Sequence, residues 1–262
     1  MAPGEFFTIE KLSINFGGIK ALAGVSLQVE PGSVHALIGP NGAGKTTVLN
    51  CISRIYKSDE GRVRFKGQEI DRLKPHQVVN AGIARTFQNI ELFKNMTVLD
   101  NILLGRHSKR KTSLLSDALF WGRSQRQEMI FREKAEEIID FLDLQAYRNT
   151  PISSAPYGVQ KNVELARALA MEPELLLLDE PSSGLNVEET QDLAFWIEDI
   201  KKDFGIAILV VEHDMRLVLD VCDTATALDY GRVLAHGAPG DVVSHPEVIK
   251  AYLGEEDGND AS

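Results

Sequence analysis

Residues Gly39–Thr47 read GPNGAGKTT. The pattern G-x-x-x-x-G-K-[ST] describes a loop whose backbone N–H groups converge on an anion. Its glycines let the main chain approach closely, and the next helix contributes its positive N-terminal end. The flanks are those such a loop needs. Upstream, SVHALIG (Ser33–Gly39) is a short, mostly apolar run with the character of a buried strand. Downstream, KTTVLNCISRIY (Lys45–Tyr56) puts Val48, Leu49, Ile52 and Ile55 on one helical face. Gly39, Pro40, Asn41, Gly42, Ala43, Gly44, Lys45, Thr46 and Thr47 are therefore the expected phosphate cradle. Lys45 should reach the β- and γ-phosphates of a nucleotide, and the Thr46 hydroxyl should hold Mg²⁺.

A second signal lies far downstream. LLLLDE (Leu175–Glu180) is a buried strand ending in two acids. Asp179, at the strand's carboxyl end, suits Mg²⁺ binding through water, and Glu180 suits polarisation of an attacking water. Alone, an acid pair after an apolar run is a common solvated strand end; beneath a matching phosphate loop it gains weight.

Around these two signals the chain alternates. FFTIEKLSINF (Phe6–Phe16), SLQVEPG (Ser26–Gly32) and GRVRFKG (Gly61–Gly67) carry period-two strand patterns. From Val98 to Leu144 the sequence is mostly helical, with a basic patch RHSKRKTS (Arg106–Ser113) that reads as an exposed face. VEETQDLAFWIEDIKKDFG (Val187–Gly205) is a helix closed by glycine, and IAILVVEHD (Ile206–Asp214) is another buried strand. This alternation predicts an α/β fold whose parallel sheet is covered on both faces. The acidic end GEEDGNDAS (Gly254–Ser262) is expected to be disordered.

The bulk properties exclude some classes. The formal charge of −10 over 262 residues argues against a non-specific nucleic-acid binder. Cys51 and Cys222 stand outside any CxxC or metal-ligand spacing and read as reduced thiols. MAPGEFFTIEKLSINF shows no secretory pattern, and the longest apolar runs are too short to span a bilayer, so if the protein works at a membrane it is expected to do so as a peripheral subunit.

Taken in order, GPNGAGKTT, RTFQNIELF, YGVQKNVELARAL, LLLLDEPSSGLN and VEHD resemble the ATP-binding subunit of ATP-binding-cassette (ABC) transporters over nearly the whole chain. The resemblance implies a P-loop ATPase over about residues 1–254. Its parallel-sheet core would carry an antiparallel β subdomain and an inserted helical subdomain from about 90 to 160. It also implies roles. Gln88 would contact Mg²⁺ and sense the γ-phosphate, His213 would hold the γ-phosphate and the water, and Phe16 would stack on adenine. Phe6 and Phe7 lie in the same β region as Phe16, and a lone glutamine or histidine carries little by itself. In SSGLN, Asn186 stands where aspartate is commoner. The segments GIARTFQNIELFKNMTVLDNILLGRH and HGAPGDVVSHPEVIKAYLGEE are similar to the importer type for branched-chain amino acids, a group with relatives for urea and amides.

The family's signature segment works in trans, capping the γ-phosphate bound by a partner subunit. Here it reads Ala155, Pro156, Tyr157, Gly158, Val159, with proline in place of serine. The helix N-terminus and one glycine survive while one hydroxyl is lost. Both a degraded cap and a tolerated variant are compatible with that. The resemblance implies a second ATPase subunit, of a different chain, and two membrane permease subunits. It further implies an indirect link to a periplasmic or extracellular solute-binding protein, and a place on the cytoplasmic face of the membrane. Non-transport and exporter-type ABC ATPases are the alternatives.

Overall fold

The computed structural model describes residues 6–109 and 123–259. Five parallel strands build the core of the larger sheet. They are β3 (Val34–Ile38), β6 (Ile83–Arg85), β7 (Leu175–Asp179), β8 (Ala207–Val211) and β9 (Thr224–Asp229); β10 (Arg232–Gly237) adds an antiparallel edge. The order is β10-β9-β3-β8-β7-β6. Alternate side chains feed two separate cores, as a sheet covered on both faces requires. Ala36, Ile38, Leu176, Leu178, Ile208 and Val210 join one, whereas Leu37, Leu175, Leu177, Leu209 and Val211 join the other. The adjacent apolar residues of LLLLD thus serve opposite faces of one strand.

The second core is closed by an antiparallel sheet, β2-β1-β4-β5, from β1 (Phe7–Phe16), β2 (Ile19–Val29), β4 (Glu60–Phe65) and β5 (Gln68–Glu69). Helix α1 (Lys45–Ile52) lies between the two sheets, burying Val48, Leu49 and Ile52. A short α2 (Pro75–Ala81) precedes β6. The first core is covered by α3 (Val98–Gly105), α4 (Arg123–Phe141), α5 (Tyr157–Leu169), α6 (Val187–Phe204) and α7 (Met215–Val221). The chain ends in α8 (Pro239–Val243) and α9 (Pro246–Asn259).

Local sequence sets the helix ends. Thr97 and Asp100 form a reciprocal capping box at α3. Asn186 accepts the Glu189 N–H at 3.0 Å and begins α6, so the asparagine of SSGLN has a cap to make. Gly205 ends α6 at φ 64°.

Three details differ from the expectations. The helical part runs past 160, since α5 continues to Leu169 with its apolar face in the first core. Helix α9 continues to Asn259, into the acidic end; 260–262 lie outside the described residues. Arg106 is not on an exposed basic face. It is 4% exposed, donates to the Ala170 carbonyl at 3.0 Å, pairs with Glu172 at 2.8 Å and lies over the Phe131 ring. Its neighbours Arg110 to Ser113 lie outside the described residues. Among those described, no helix is long and apolar enough to cross a membrane.

Candidate active site

The loop between β3 and α1 is built by close approach. A Cβ on Gly39 (φ 149°) would lie 2.2 Å from the Leu228 carbonyl oxygen, so β9 admits only glycine there. Its N–H donates to the Tyr252 hydroxyl at 2.8 Å, tying the loop to α9. Gly44 (φ 105°) stands at the N-cap of α1, hard against Leu22 and Ala21. Lys45 is 5% exposed, and its ammonium donates to the carbonyls of Gly39 and Pro40 at 2.6 and 2.9 Å. That pose spans the loop from beneath. Asn41 and Gly42 are exposed at its rim, Pro40 and Ala43 are buried, and Thr46 and Thr47 are half-buried in the first turn of α1.

At the end of β7, Asp179 is 1% exposed. Its Oδ2 accepts from Arg85 at 2.8 Å, while its Oδ1 is buried without a hydrogen-bond partner. Glu180 leaves the strand in the left-handed region at φ 49°, held by its N–H to Val211 O at 2.9 Å. A non-glycine residue there is strained, and the turn aims its carboxylate away from the strand direction. Glu180 Oε2 accepts a hydrogen bond from Gln88 Nε2 at 2.8 Å. Gln88, Asp179 and Glu180, separated in sequence by some ninety residues, thus converge at one end of the parallel sheet. That end is also where the phosphate loop leaves β3, as ligand sites in open α/β sheets require.

His213 follows β8 by two residues and is exposed, its side chain 56% so. Its N–H donates to the buried carboxylate of Glu212, and no bond joins it to Glu180. Phe16 is 43% exposed and meets Tyr56 edge to face at 5.1 Å, whereas Phe6 and Phe7 are buried. Of the three phenylalanines only Phe16 can offer a ring to a base.

Pro156 is the N-cap of α5, exposed, at φ −55° and ψ 155°, with no side-chain cap. Tyr157 is exposed too. Its hydroxyl donates to Ser183 O at 3.3 Å, and its ring is seated on Gly184. Gly158 is buried, where a Cβ would collide with the Glu189 carboxylate at 2.2 Å, and Val159 is half-buried.

Several contributors were not legible as site residues. Arg85 holds Asp179. Glu212, fully buried, accepts from Ser182 N at 2.9 Å and so fixes the segment after Glu180. Glu164 of α5 accepts from Phe87 N at 3.2 Å, and Lys161 donates to Gln88 O at 3.3 Å. Burial pushes the Glu164 carboxyl above its ordinary value, against the Phe87 hydrogen bond and nearby cations. The α5 helix therefore grips the main chain on which Gln88 sits. A charged residue buried among apolar helix positions was the available signal for Glu164, and an acid closing a buried strand for Glu212.

A glycine-rich cradle with its lysine, above a strand ending in paired acids, defines a P-loop nucleotide-hydrolase site. Comparison with known proteins narrows the class. The family model for ABC transporters matches residues 22–183, and that for the branched-chain amino acid ATP-binding cassette transporter matches 232–258. The chain is 39% identical over 247 residues to the high-affinity branched-chain amino acid transport ATP-binding protein BraF of Pseudomonas aeruginosa, covering 94% of this chain and 97% of that one. It is 38% identical over 248 residues to LivG of Escherichia coli K12, covering 95% and 97%. Among solved structures, the ADP conformation of the ATP-binding cassette MJ1267 superposes with a TM-score of 0.83 at 35% identity, covering 95% and 99%. The chain belongs to the ABC transporter family, as an ATP-binding ATPase.

Proposed function

We propose that this chain hydrolyses ATP to drive import of branched-chain amino acids or a related small polar solute. The observation that carries the hydrolytic role is the 2.8 Å contact of Gln88 with Glu180, beside Asp179. Glu180 accepts the hydrogen bond of the attacking water and draws its proton as the water oxygen bonds to the γ-phosphorus and the bond from that phosphorus to the β–γ bridging oxygen breaks, leaving ADP and inorganic phosphate. Lys45 and the N–H groups of Gly39 to Thr47 hold the β- and γ-phosphates, His213 swings onto the γ-phosphate, and Phe16 stacks on adenine.

The residues suit Mg²⁺. Asp179 Oδ1 is a buried acceptor with nothing bound to it, and the Thr46 hydroxyl stands in the first turn of α1. Thr46, Gln88 and Asp179 would hold the ion, which when bound neutralises charge on the phosphates. Among the described residues there is no cluster of three or more His, Cys, Asp or Glu that could hold a metal. Mg²⁺ bound to nucleotide needs none, since phosphates and water complete its shell.

The segment Pro156–Val159 acts on nucleotide held by a second, different ATPase subunit. Two permease subunits and an external solute-binding protein complete the assembly, which places the chain on the cytoplasmic face of the membrane. The family match at residues 232–258 and the names of the relatives support the solute class. Reconstitution with the second ATPase subunit, the permease pair and the binding protein in vesicles tests this. Uptake of leucine, isoleucine or valine dependent on internal ATP is expected. ATP hydrolysis that no branched-chain amino acid, urea or short amide stimulates would refute the solute class.

A further inference from the structure

Arg85, the last residue of β6, is enclosed, its side chain 7% exposed. One guanidinium nitrogen donates to Asp179 Oδ2 of β7 at 2.8 Å. Another donates to Asn50 Oδ1 of α1 at 2.8 Å and to Ser53 Oγ, just past that helix, at 3.3 Å. Its Cζ lies over the ring of Phe87, the neighbour of Gln88, 5.1 Å from the centroid. A single planar fork thus joins the acid-bearing strand, the helix that begins with Lys45 and Thr46, and the segment that carries Gln88. A buried ion pair of this kind is weak evidence for stability, because desolvation offsets much of the attraction. The geometry instead explains a feature of the site. Asp179 has two oxygens; Arg85 occupies Oδ2 and leaves Oδ1 buried and unbonded.

We infer that Arg85 is a positioning residue for the divalent cation. It fixes the carboxylate of Asp179 so that Oδ1 is presented, and it locks that oxygen in distance and angle to Thr46 through α1. Lysine cannot do this, since its single nitrogen cannot replace the two separate guanidinium nitrogens that serve Asp179 and the Asn50–Ser53 pair. This rests on the proposed role of Asp179 at the Mg²⁺ site. Outer partners that orient a metal-binding carboxylate influence metal affinity by about 10–100-fold.

The test uses the full chain and two measurements. Mn²⁺ is titrated into the ATP-loaded protein in the cold and bound ion read by electron paramagnetic resonance; ATP affinity is measured separately in EDTA. Arg85→Lys should weaken Mn²⁺ binding by about tenfold and leave ATP affinity in EDTA unchanged. Asn50→Ala, which loosens the α1 end of the fork without touching Asp179, should shift Mn²⁺ affinity the same way by less. Equal losses in both measurements, or unchanged Mn²⁺ affinity in a folded Arg85→Lys, would overturn the inference. Failure of the ATP-loaded wild type to bind Mn²⁺ more tightly than Asp179→Asn would instead overturn the assignment of Asp179 itself.

Discussion

Pro156→Ser separates the stability of α5 from the chemistry it serves. Proline at the N-cap supplies no acceptor to the first-turn N–H groups, and its φ of −55° and ψ of 155° are open to serine. A serine cap is worth about 0.5–2 kcal/mol over a residue that cannot cap. Losing proline returns about 0.4–1 kcal/mol of freedom to the unfolded chain. The net change is about −0.5 to +1.6 kcal/mol, which for a chain of this size moves Tm by about −2 to +6 °C. The catalytic effect is larger. A hydroxyl bonded to a charged phosphate is worth about 1.5–3 kcal/mol. Realised in the transition state, that is about a ten- to hundredfold gain in rate. The assay is steady-state ATP hydrolysis by the isolated chain, wild type against Pro156→Ser, over a range of protein concentrations, with Tm measured alongside. Pro156→Ser should raise hydrolysis at least tenfold with a Tm change of a few degrees, and wild type should be a weak ATPase alone. Robust wild-type hydrolysis, unchanged by the substitution, would show that Pro156-Tyr157-Gly158-Val159 is already a competent cap and that no different partner is needed.

Three further outcomes follow from burial. Arg106→Glu should lower Tm by roughly 6–20 °C, because it sets an uncompensated carboxylate beside Glu172 in an enclosed site, and thermal denaturation reads this directly. Burial, aided by His236, holds His35 down at about 3, so the folded chain refuses a proton that the unfolded chain takes up near 6.5. The stability this protects is complete above pH 6.5 and falls by about 1.4 kcal/mol per unit below it. Denaturant midpoints at pH 7.5 and 5.0 should therefore differ less in His35→Gln than in wild type. Burial pushes Cys51 up to about 11 and Cys222 up to about 12, so alkylation at pH 8 should be slower than in the unfolded chain by about a hundredfold and a thousandfold.

What the sequence made legible was contiguous. Gly39–Thr47 and Leu175–Glu180 each carry their meaning within a few residues, and the five apolar positions of β8 read as a strand buried on both faces. Strand order could not be read, since nothing local states that β8 stands between β3 and β7. The same limit hid Arg85, Glu164 and Glu212. Each acts through a partner far along the chain, and even where the local pattern sets Glu164 and Glu212 apart it does not name that partner. Arg106 misled for the converse reason. A basic run suggests a solvated face, yet its first member folds back onto the Ala170 carbonyl, a tertiary pairing that composition does not reveal.

Glu180→Gln in the complex assembled with the permeases keeps the shape of the site and removes the charge that draws the water's proton. Hydrolysis and ATP binding measured side by side on that complex test the proposed chemistry most directly. ATP should still bind with near wild-type affinity while turnover falls by about 10²–10⁴-fold, the range expected for a lost general base. Hydrolysis at the wild-type rate would contradict the assignment of Glu180.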